Sequence, residues 1–363
     1  MRTLRLLPVV LLVFSLLTAP AHLAWAAGPY TEAALGALSW VAAQQQPDGG
    51  FPGFGASSTA DAVYAICAVG GDPNGILTDG RSPISYLGDH VQELTAAAGS
   101  TAKAILAAVC AGKDPRAFGG ADLVAVLEGA YDPAAGHYGP DLAGHAFALL
   151  ALASVGRPIP DAAVAWLRQA QTPEGGWAWS GDPAPAGADT NSTALAIQAL
   201  VAAGVSPTDP VVTSALAYLH TQQNADGGFP YAKPSPYGSD TDANSTAYVV
   251  QGLVAAGEEP EGPAWMAGGK SPLAALLALQ QPSGGLLWQA AVPGENALAT
   301  YQAIVALMLK PFPLARTTVG AGPAVLPKTG VEVGWAVVAA GAAIVLVGVS
   351  LRRATTKAKK QGV

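Results

Sequence analysis

The chain contains one helix-length segment twice, with few changes between the copies. It reads DTNSTALAIQALVAAG from Asp189 and DANSTAYVVQGLVAAG from Asp242. A loop pattern of Gln, three residues, Gly, any residue and an aromatic precedes both copies, beginning at Gln171 and Gln223. It recurs at Gln45, with weaker copies at Gln280 and Asp132, and one repeat around residues 84–112 lacks it. Such a repeat restricts the chain to architectures that stack one supersecondary unit several times.

Each loop lies between two Ala-rich segments of helical length, which predicts twelve helices in six pairs over residues 27–313. The helices that follow the loops are apolar on nearly every face, so they should form an inner, buried layer. The helices that precede the loops carry more polar residues and should form an outer layer. Because an open solenoid needs polar ends and the last pair has none, we expect a closed ring. The predicted fold is an all-α, α6/α6 toroid.

Both ends of the chain have the composition of targeting segments. Residues 1–26 combine two arginines, an apolar run and a final Ala-x-Ala, the layout of a secretory signal peptide. At the other end, a short linker (314–325) leads to an apolar run (333–351) that is long enough to span a membrane, and to a basic tail (352–363). Between linker and apolar run stands the motif Leu326, Pro327, Lys328, Thr329, Gly330.

The motif, apolar run and basic tail resemble a sortase cell-wall sorting signal. The resemblance implies cleavage between Thr329 and Gly330 and attachment to peptidoglycan, with sortase and peptidoglycan as partners. A plain single-pass membrane anchor is the alternative. Either way, the expected location is the outside of a bacterial cell, bound to the wall or to the membrane.

The exported part is strongly acidic. The whole chain has 25 acidic and 18 basic residues, and without Glu332, Arg2, Arg5 and the five tail cations it has 24 and 11. A surface with this balance repels nucleic acid, which makes a nucleic-acid partner improbable. Cys67 and Cys110 lie near the ends of the first two inner helices at similar depth, so they are a disulfide candidate; two free thiols are the alternative.

The loop pattern and the Asp-x-x-x-Thr-Ala helix start resemble the terpenoid cyclase/prenyltransferase superfamily over residues 31–313. The resemblance implies an α6/α6 toroid with a central cavity lined by inner helices. Cyclases of this family start carbocation formation with the middle Asp of Asp-x-Asp-Asp-Thr-Ala. Asn191 and Asn244 stand at that position, and an amide has no sufficiently acidic proton. An alignment on Gln302 puts Glu295 there in the sixth repeat.

The other activities of this superfamily also find no match. Zinc-holding Asp, Cys and His residues are missing from matching motifs, so we expect no metal. The cobalamin carriers hold their ligand with a second domain, for which there is no room before the sorting motif. No cofactor is expected, and cobalamin binding would need a partner protein.

Polar and aromatic residues of the inner helices are the candidates for binding a ligand. Asp189 and Asp242 could equally be helix caps, and the amides of Gln198 and Gln251 could equally meet neighbouring backbone. A polar ring at the cavity mouth suits hydrogen bonds to an uncharged ligand. The candidate residues are Asp189, Asn191, Gln198, Asp242, Asn244, Tyr248, Gln251 and Tyr301.

Three functions remain open. The first is a non-catalytic module that binds a terpenoid-like or cobalamin-like small molecule or a peptide. The second is an enzyme, either a divergent terpene cyclase or a glycan-cleaving enzyme that uses Asp242 with Glu295 as its carboxylate pair. The third is a structural or adhesive surface domain. The first is our hypothesis because the acid of the cyclases is replaced.

Overall fold

The computed structural model describes residues 30–315 apart from residues 140, 185, 186 and 237, and within them the regular structure is helical. The predicted signal peptide, sorting motif, membrane segment and basic tail lie outside the described residues. No helix among the described residues is long and apolar enough to cross a membrane. Two 3-10 helices, Pro115–Ala117 and Pro263–Trp265, accompany α1 (Thr31–Ala43), α2 (Ala56–Ala68), α3 (Pro83–Asp89), α4 (Val91–Leu94), α5 (Ala98–Cys110), α6 (Leu123–Gly129), α7 (Leu142–Ser154), α8 (Asp161–Gln169), α9 (Thr190–Ala202), α10 (Pro210–Gln222), α11 (Ala243–Ala255), α12 (Pro272–Leu279) and α13 (Ala297–Leu307).

The inner helices form a closed ring. Each packs against the next in the order α2, α5, α7, α9, α11 and α13, and α13 packs against α2. Each outer helix lies against the inner helix before it, so α1 packs on α13 and closes the outer layer as well. The all-α toroid predicted from the repeat is confirmed for the described residues. One helix was predicted wrongly: the second outer helix is divided into α3 and α4 because His90 leaves the helical conformation.

The repeated Asp of the duplicated segments caps the inner helices. Asp189 and Asp242 precede α9 and α11, and each side chain accepts a hydrogen bond from the backbone N–H three residues later. Such a cap satisfies one of the backbone donors that a helix start leaves free. Asp141 and Asn296 cap α7 and α13 in the same way.

The repeated Thr fastens the loop to the helix that follows it. Thr193 Oγ1 accepts a hydrogen bond from the backbone N–H of Trp177 at 3.0 Å, and Thr246 Oγ1 accepts one from Phe229 at the same distance. In α7 the Thr is replaced by His145, whose Nδ1 accepts from the N–H of Tyr138. Equivalent bonds join Thr59 to Phe51 and Thr300 to Leu286.

The repeated Gln ties neighbouring helix pairs together. Gln171 Nε2 donates to the Gly175 carbonyl of its own loop and to the Val211 carbonyl of the next outer helix, at 2.7 and 2.8 Å. Gln280 makes the same pair of bonds and reaches the Ala33 carbonyl of α1, which joins the end of the ring to its beginning. Gly175 has a φ of +94°, and a Cβ there would meet the Ser214 carbonyl oxygen at 2.4 Å. Glycine is therefore required where the loop passes its neighbour.

Cys67 and Cys110 form a disulfide between α2 and α5. Their Cα atoms are 6.0 Å apart, within the range that a disulfide spans. The bond closes a loop of 43 residues in sequence. It joins the two inner helices near their C-terminal ends, opposite the cavity described below.

Removal of this disulfide is expected to lower stability by about 2–4 kcal/mol, because the unfolded chain regains the entropy of the open loop. The C67A/C110A double variant measures the effect in urea denaturation, and both small side chains suit the buried site. Treatment of that variant with a reductant should change nothing further. An unchanged midpoint in the double variant would show that the bond does not constrain the unfolded chain.

Candidate functional site

The toroid presents a cavity at the end where the inner helices begin. The cavity has a volume of about 280 Å³ and lies between the starts of α9, α11 and α13. We call it the mouth cavity. Its lining residues are Asn191, Tyr231, Asp242, Asn244, Ser245, Tyr248, Trp288, Leu298 and Gln302.

Two loop aromatics cover the side of the mouth cavity. The backbone carbonyl of Tyr231 accepts the N–H of Thr190, and that of Trp288 accepts the N–H of Ala243. Each aromatic therefore lies over the first residue of an inner helix that precedes it in the chain. Trp179 takes the same place above α7, where its carbonyl accepts the N–H of Leu142. Each of these aromatics lies two residues after the last residue of the loop pattern, which is Trp177, Phe229 or Leu286. This spacing is the sequence signal by which they could have been predicted.

Amides stand at the two positions that the sequence resemblance aligns with a cyclase donor acid. Asn191 and Asn244 both line the mouth cavity, and Asn244 Nδ2 donates to Gln302 Oε1 of α13 at 2.8 Å. Gln302 thus belongs to the site, although it was not among the binding residues predicted from the sequence. An amide pair of this kind offers both donors and acceptors to a neutral ligand.

The structure corrects the register assumed for the sixth repeat. Thr300, not Ala297, holds the loop N–H as Thr246 does, and Asn296 is the cap. Leu298 therefore stands at the place of Asn244. Glu295 precedes the cap and binds Trp40 Nε1 at 2.8 Å and the Ser283 hydroxyl. It is not among the residues that line the mouth cavity.

The two cap carboxylates, Asp189 and Asp242, are buried in similar surroundings. Asp242 accepts from Ser245 N at 2.7 Å and from Ser245 Oγ at 2.9 Å, and Asp189 is bound likewise by Ser192 and also by Tyr231 Oη. Burial raises the pKa of each to about 6, although these hydrogen bonds oppose the rise. Because the shift is equal at Asp189, which does not line the mouth cavity, it follows from burial of the cap.

These shifted pKa values predict that the two caps lose stabilisation as the pH rises from about 4 to about 7. Burial lowers the pKa of His145 to about 4, so His145 partly offsets this loss over the same range. A carboxyl with a folded-state pKa near 6 binds its proton more tightly than the unfolded chain does. Its contribution is therefore complete below about pH 4 and is lost as the pH rises through 6. Each cap should account for about 2–3 kcal/mol of the loss. The D189N variant keeps an oxygen for the cap and should flatten the urea-denaturation pH profile by that amount; an unchanged profile would contradict the assignment.

A buried ion pair lies beneath the mouth cavity, deeper in the ring. Lys103 Nζ of α5 is 2.7 Å from Asp61 Oδ2 of α2, with 16% and 7% of the two side chains exposed. The Lys103 ammonium also lies 5.8 Å from the centre of the Phe147 ring. Burial raises the pKa of Asp61, and the Lys103 charge opposes this rise. Neither residue was predicted from the sequence.

A second, much smaller space of about 10 Å³ adjoins this ion pair, and we call it the inner chamber. Tyr248 and Gln302 line both spaces and so separate the mouth cavity from the inner chamber. The volume is about that of one water position. Its lining is Asp61, Tyr64, Tyr248, Gln251, Tyr301, Gln302, Val305 and Phe312.

Three of the predicted binding residues are buried away from the mouth cavity. Tyr301 Oη donates to the Pro52 carbonyl, and Gln198 Oε1 accepts the N–H of Phe312 at 2.8 Å. Gln251 Nε2 donates to the Ala247 carbonyl of its own helix. Asn191, Asp242, Asn244 and Tyr248 line the mouth cavity directly, and Asp189 lies behind it under Tyr231. Among the described residues, no group of three His, Cys, Asp or Glu side chains is placed to hold a metal ion.

Comparisons with known proteins agree with this architecture. The family model of the squalene-hopene cyclase C-terminal domain matches residues 138–291, less than half of the chain. A search of curated proteins found no match. The type II terpene cyclase MstE from Scytonema is similar in structure, with a TM-score of 0.54 at 14% identity, over 77% of this chain and 97% of that one.

An unsaturated glucuronyl hydrolase from Bacillus sp. GL1, which degrades glycosaminoglycan, is similar to the same degree. Its TM-score is 0.53 at 13% identity, over 77% of this chain and 95% of the hydrolase. Identities this low show the fold alone. The family match over residues 138–291 is to a cyclase domain, and the two structural neighbours, a terpene cyclase and a glycan hydrolase, share the fold of this chain.

Proposed function

We propose that this protein is an exported surface protein whose toroid binds a small, uncharged molecule at the mouth cavity without converting it. The observation that carries the proposal is the amide at the donor position, Asn244, bonded to Gln302 inside a cavity walled by Tyr231, Tyr248 and Trp288. Aromatic walls with a few convergent polar groups are typical of small-molecule sites. The amide cannot protonate an alkene, whereas it can donate and accept hydrogen bonds.

The size of the site limits what it can hold. A volume of about 280 Å³ suits a ring or a short chain, and it lies at the lower limit for drug-sized ligands. A terpenoid end group or a peptide side chain fits this description, while a whole cobalamin would have to rest on the rim. We propose export by the signal peptide of residues 1–26 and attachment through residues 326–330, with sortase and peptidoglycan as the partners.

The mouth amides provide the test of binding. The N244L/Q302L double variant removes both members of one hydrogen bond, so that neither amide is left unpaired. We expect farnesol or another neutral probe to raise the melting temperature of the wild type and to leave that of the variant unchanged. The matched control is Q92L, which alters an exposed amide of α4 and should respond like the wild type. Equal stabilisation of all three proteins would place binding elsewhere.

A glycan-cleaving enzyme is the second candidate, because Asp242 lines the mouth cavity with a pKa of about 6. Glycoside hydrolysis generally needs two carboxyl groups. Asp242 is the single carboxylate among the described residues that line this cavity, and Glu295 is bound to Trp40 outside it. Release of reducing ends from cell-wall or glycosaminoglycan fragments, abolished by D242N, would establish this activity in place of simple binding.

A further inference from the structure

The centre of the ring is filled by a residue that belongs to none of its helices. Phe312 follows α13, which ends at Leu307, and its ring reaches the centre of the toroid. The ring centroid lies 5.0 Å from that of Tyr64 and 6.0 Å from that of Phe147, both in edge-to-face geometry. The backbone N–H of Phe312 donates to Gln198 Oε1 of α9 at 2.8 Å. A side chain from a terminal segment thus occupies space that the inner helices enclose.

Phe312 borders the inner chamber, and the three residues that follow it border a depression on the opposite face. Toward the mouth Phe312 borders the inner chamber, which Tyr248 and Gln302 separate from the mouth cavity. On the opposite face, a depression of about 640 Å³ is lined by Pro313, Leu314 and Ala315 together with the ends of α5 and α7. An outward movement of this segment would carry it toward the depression.

The inner chamber also contains a polar group without a partner. Gln251 is 1% exposed, and in the part of the chain that the structure describes its Oε1 accepts no hydrogen bond. A buried acceptor left in this state disfavours the closed form. Withdrawal of Phe312 would free a second amide oxygen, that of Gln198. Two acceptors would then face a space the size of an aromatic ring.

We propose that Phe312 is an internal plug that competes with ligand for the centre of the toroid. When the plug withdraws, the inner chamber widens by the volume of the Phe312 ring into a channel that can hold a neutral molecule with a ring-sized apolar group and a hydrogen-bond donor. The apolar group takes the place of the Phe312 ring between Tyr64 and Phe147. The donor binds Gln251 Oε1. This inference rests on the proposed function, since it extends the same site inward.

Hydrogen exchange on the full chain tests the plug, with 4-butylphenol as the probe. Binding to the wild type should accelerate exchange in residues 309–315 by about tenfold or more, because the Phe312 N–H loses its acceptor. The methyl ether of the probe, which lacks the donor, should bind about fivefold more weakly. F312A should bind the phenol about tenfold more tightly than the wild type, because no plug has to be displaced. F118A, which truncates a buried Phe outside the channel, should bind like the wild type.

Three outcomes would overturn the plug. Binding of the phenol to the wild type with unchanged exchange in residues 309–315 refutes the plug and leaves the proposed function intact. Binding to F312A alone identifies Phe312 as an ordinary core residue whose removal creates a cavity. Binding to neither protein shows that the centre of the ring is not a ligand site. The exchange measurement uses the wild type, so it does not depend on the folding of F312A.

Discussion

Replacement of Asp61 with Ala is expected to lower the free energy of unfolding by about 3–5 kcal/mol, because it leaves the Lys103 ammonium buried without its partner. The two charges are close together and well shielded from water, so each offsets the free-energy cost of burying the other. The nearby ring of Phe147 offers only a weak replacement. Urea denaturation at pH 7 measures the effect.

Two further variants distinguish the net contribution of the ion pair to stability from the cost of leaving one buried charge unpaired. D61L/K103M replaces both charges with apolar side chains of similar size, and its stability should lie within about 2 kcal/mol of the wild type or above it. D89A breaks the exposed pair of Asp89 with Arg81, whose side chains are 57% and 47% exposed, and should cost at most about 1 kcal/mol. Similar losses in D61A and D89A would mean that the Asp61 pair is hydrated.

Replacement of Trp177 with Ala should also cost about 3–5 kcal/mol, since it empties a large, fully buried site. The Trp177 Nε1 donates to the Leu167 carbonyl at 2.7 Å, so the substitution leaves a buried acceptor unpaired as well. The loop that Trp177 fills connects α8 to α9. Its loss should therefore loosen the joint between the outer and inner helices of this pair.

The chain contains a matched control two residues away. Trp179 is 64% exposed, and its contribution to the fold is a backbone carbonyl that W179A keeps. W179A should change stability by less than about 0.5 kcal/mol. A comparable loss in both variants, or a loss below about 1 kcal/mol in W177A, would show that Trp177 does not hold α8 and α9 together.

The repeat predicted the toroid because each of its residues has a local or nearest-neighbour task. Asp189 caps the helix that it precedes, Thr193 holds the loop, and Gln171 ties one pair to the next. Residues with such local roles recur at a regular spacing, so they can be recognised from the sequence alone. Asn191 and Asn244, which recur with the same period, line the mouth cavity.

The Asp61–Lys103 ion pair and the placement of Phe312 do not recur from repeat to repeat, so the repeat could not predict them. Asp61 and Lys103 each follow a Thr-Ala pair, and their charges meet only because α2 and α5 are neighbours in the ring. The available sequence signal was that Asp61 and Lys103, which have opposite charges, stand at the same position of two successive inner helices. Phe312 stands between two prolines, which predict the end of a helix. They do not predict that the chain after α13 places the Phe312 ring in the centre of the toroid.

The alternative alignment that places Glu295 at the donor position differs from the structural register for a definite reason. The sixth repeat was aligned on Gln302, whereas the task that the repeats share belongs to the Thr that binds the loop, Thr300. The resulting shift of register assigned an exposed Glu to the donor position. When a repeat is poorly conserved, the Thr that binds the loop N–H is a more reliable residue on which to align it than the Gln of the inner helix.

The measurement that tests the central claim most directly compares what the mouth cavity takes up with what it releases. Full-length protein is exposed to a neutral extract of the cell envelope, washed, denatured and analysed by mass spectrometry beside N244L/Q302L. We predict that one neutral compound is enriched on the wild type, absent from the double variant, and identical in mass to a compound already in the extract. A released compound of new mass would show catalysis, and equal retention by both proteins would show that the mouth cavity is not the site.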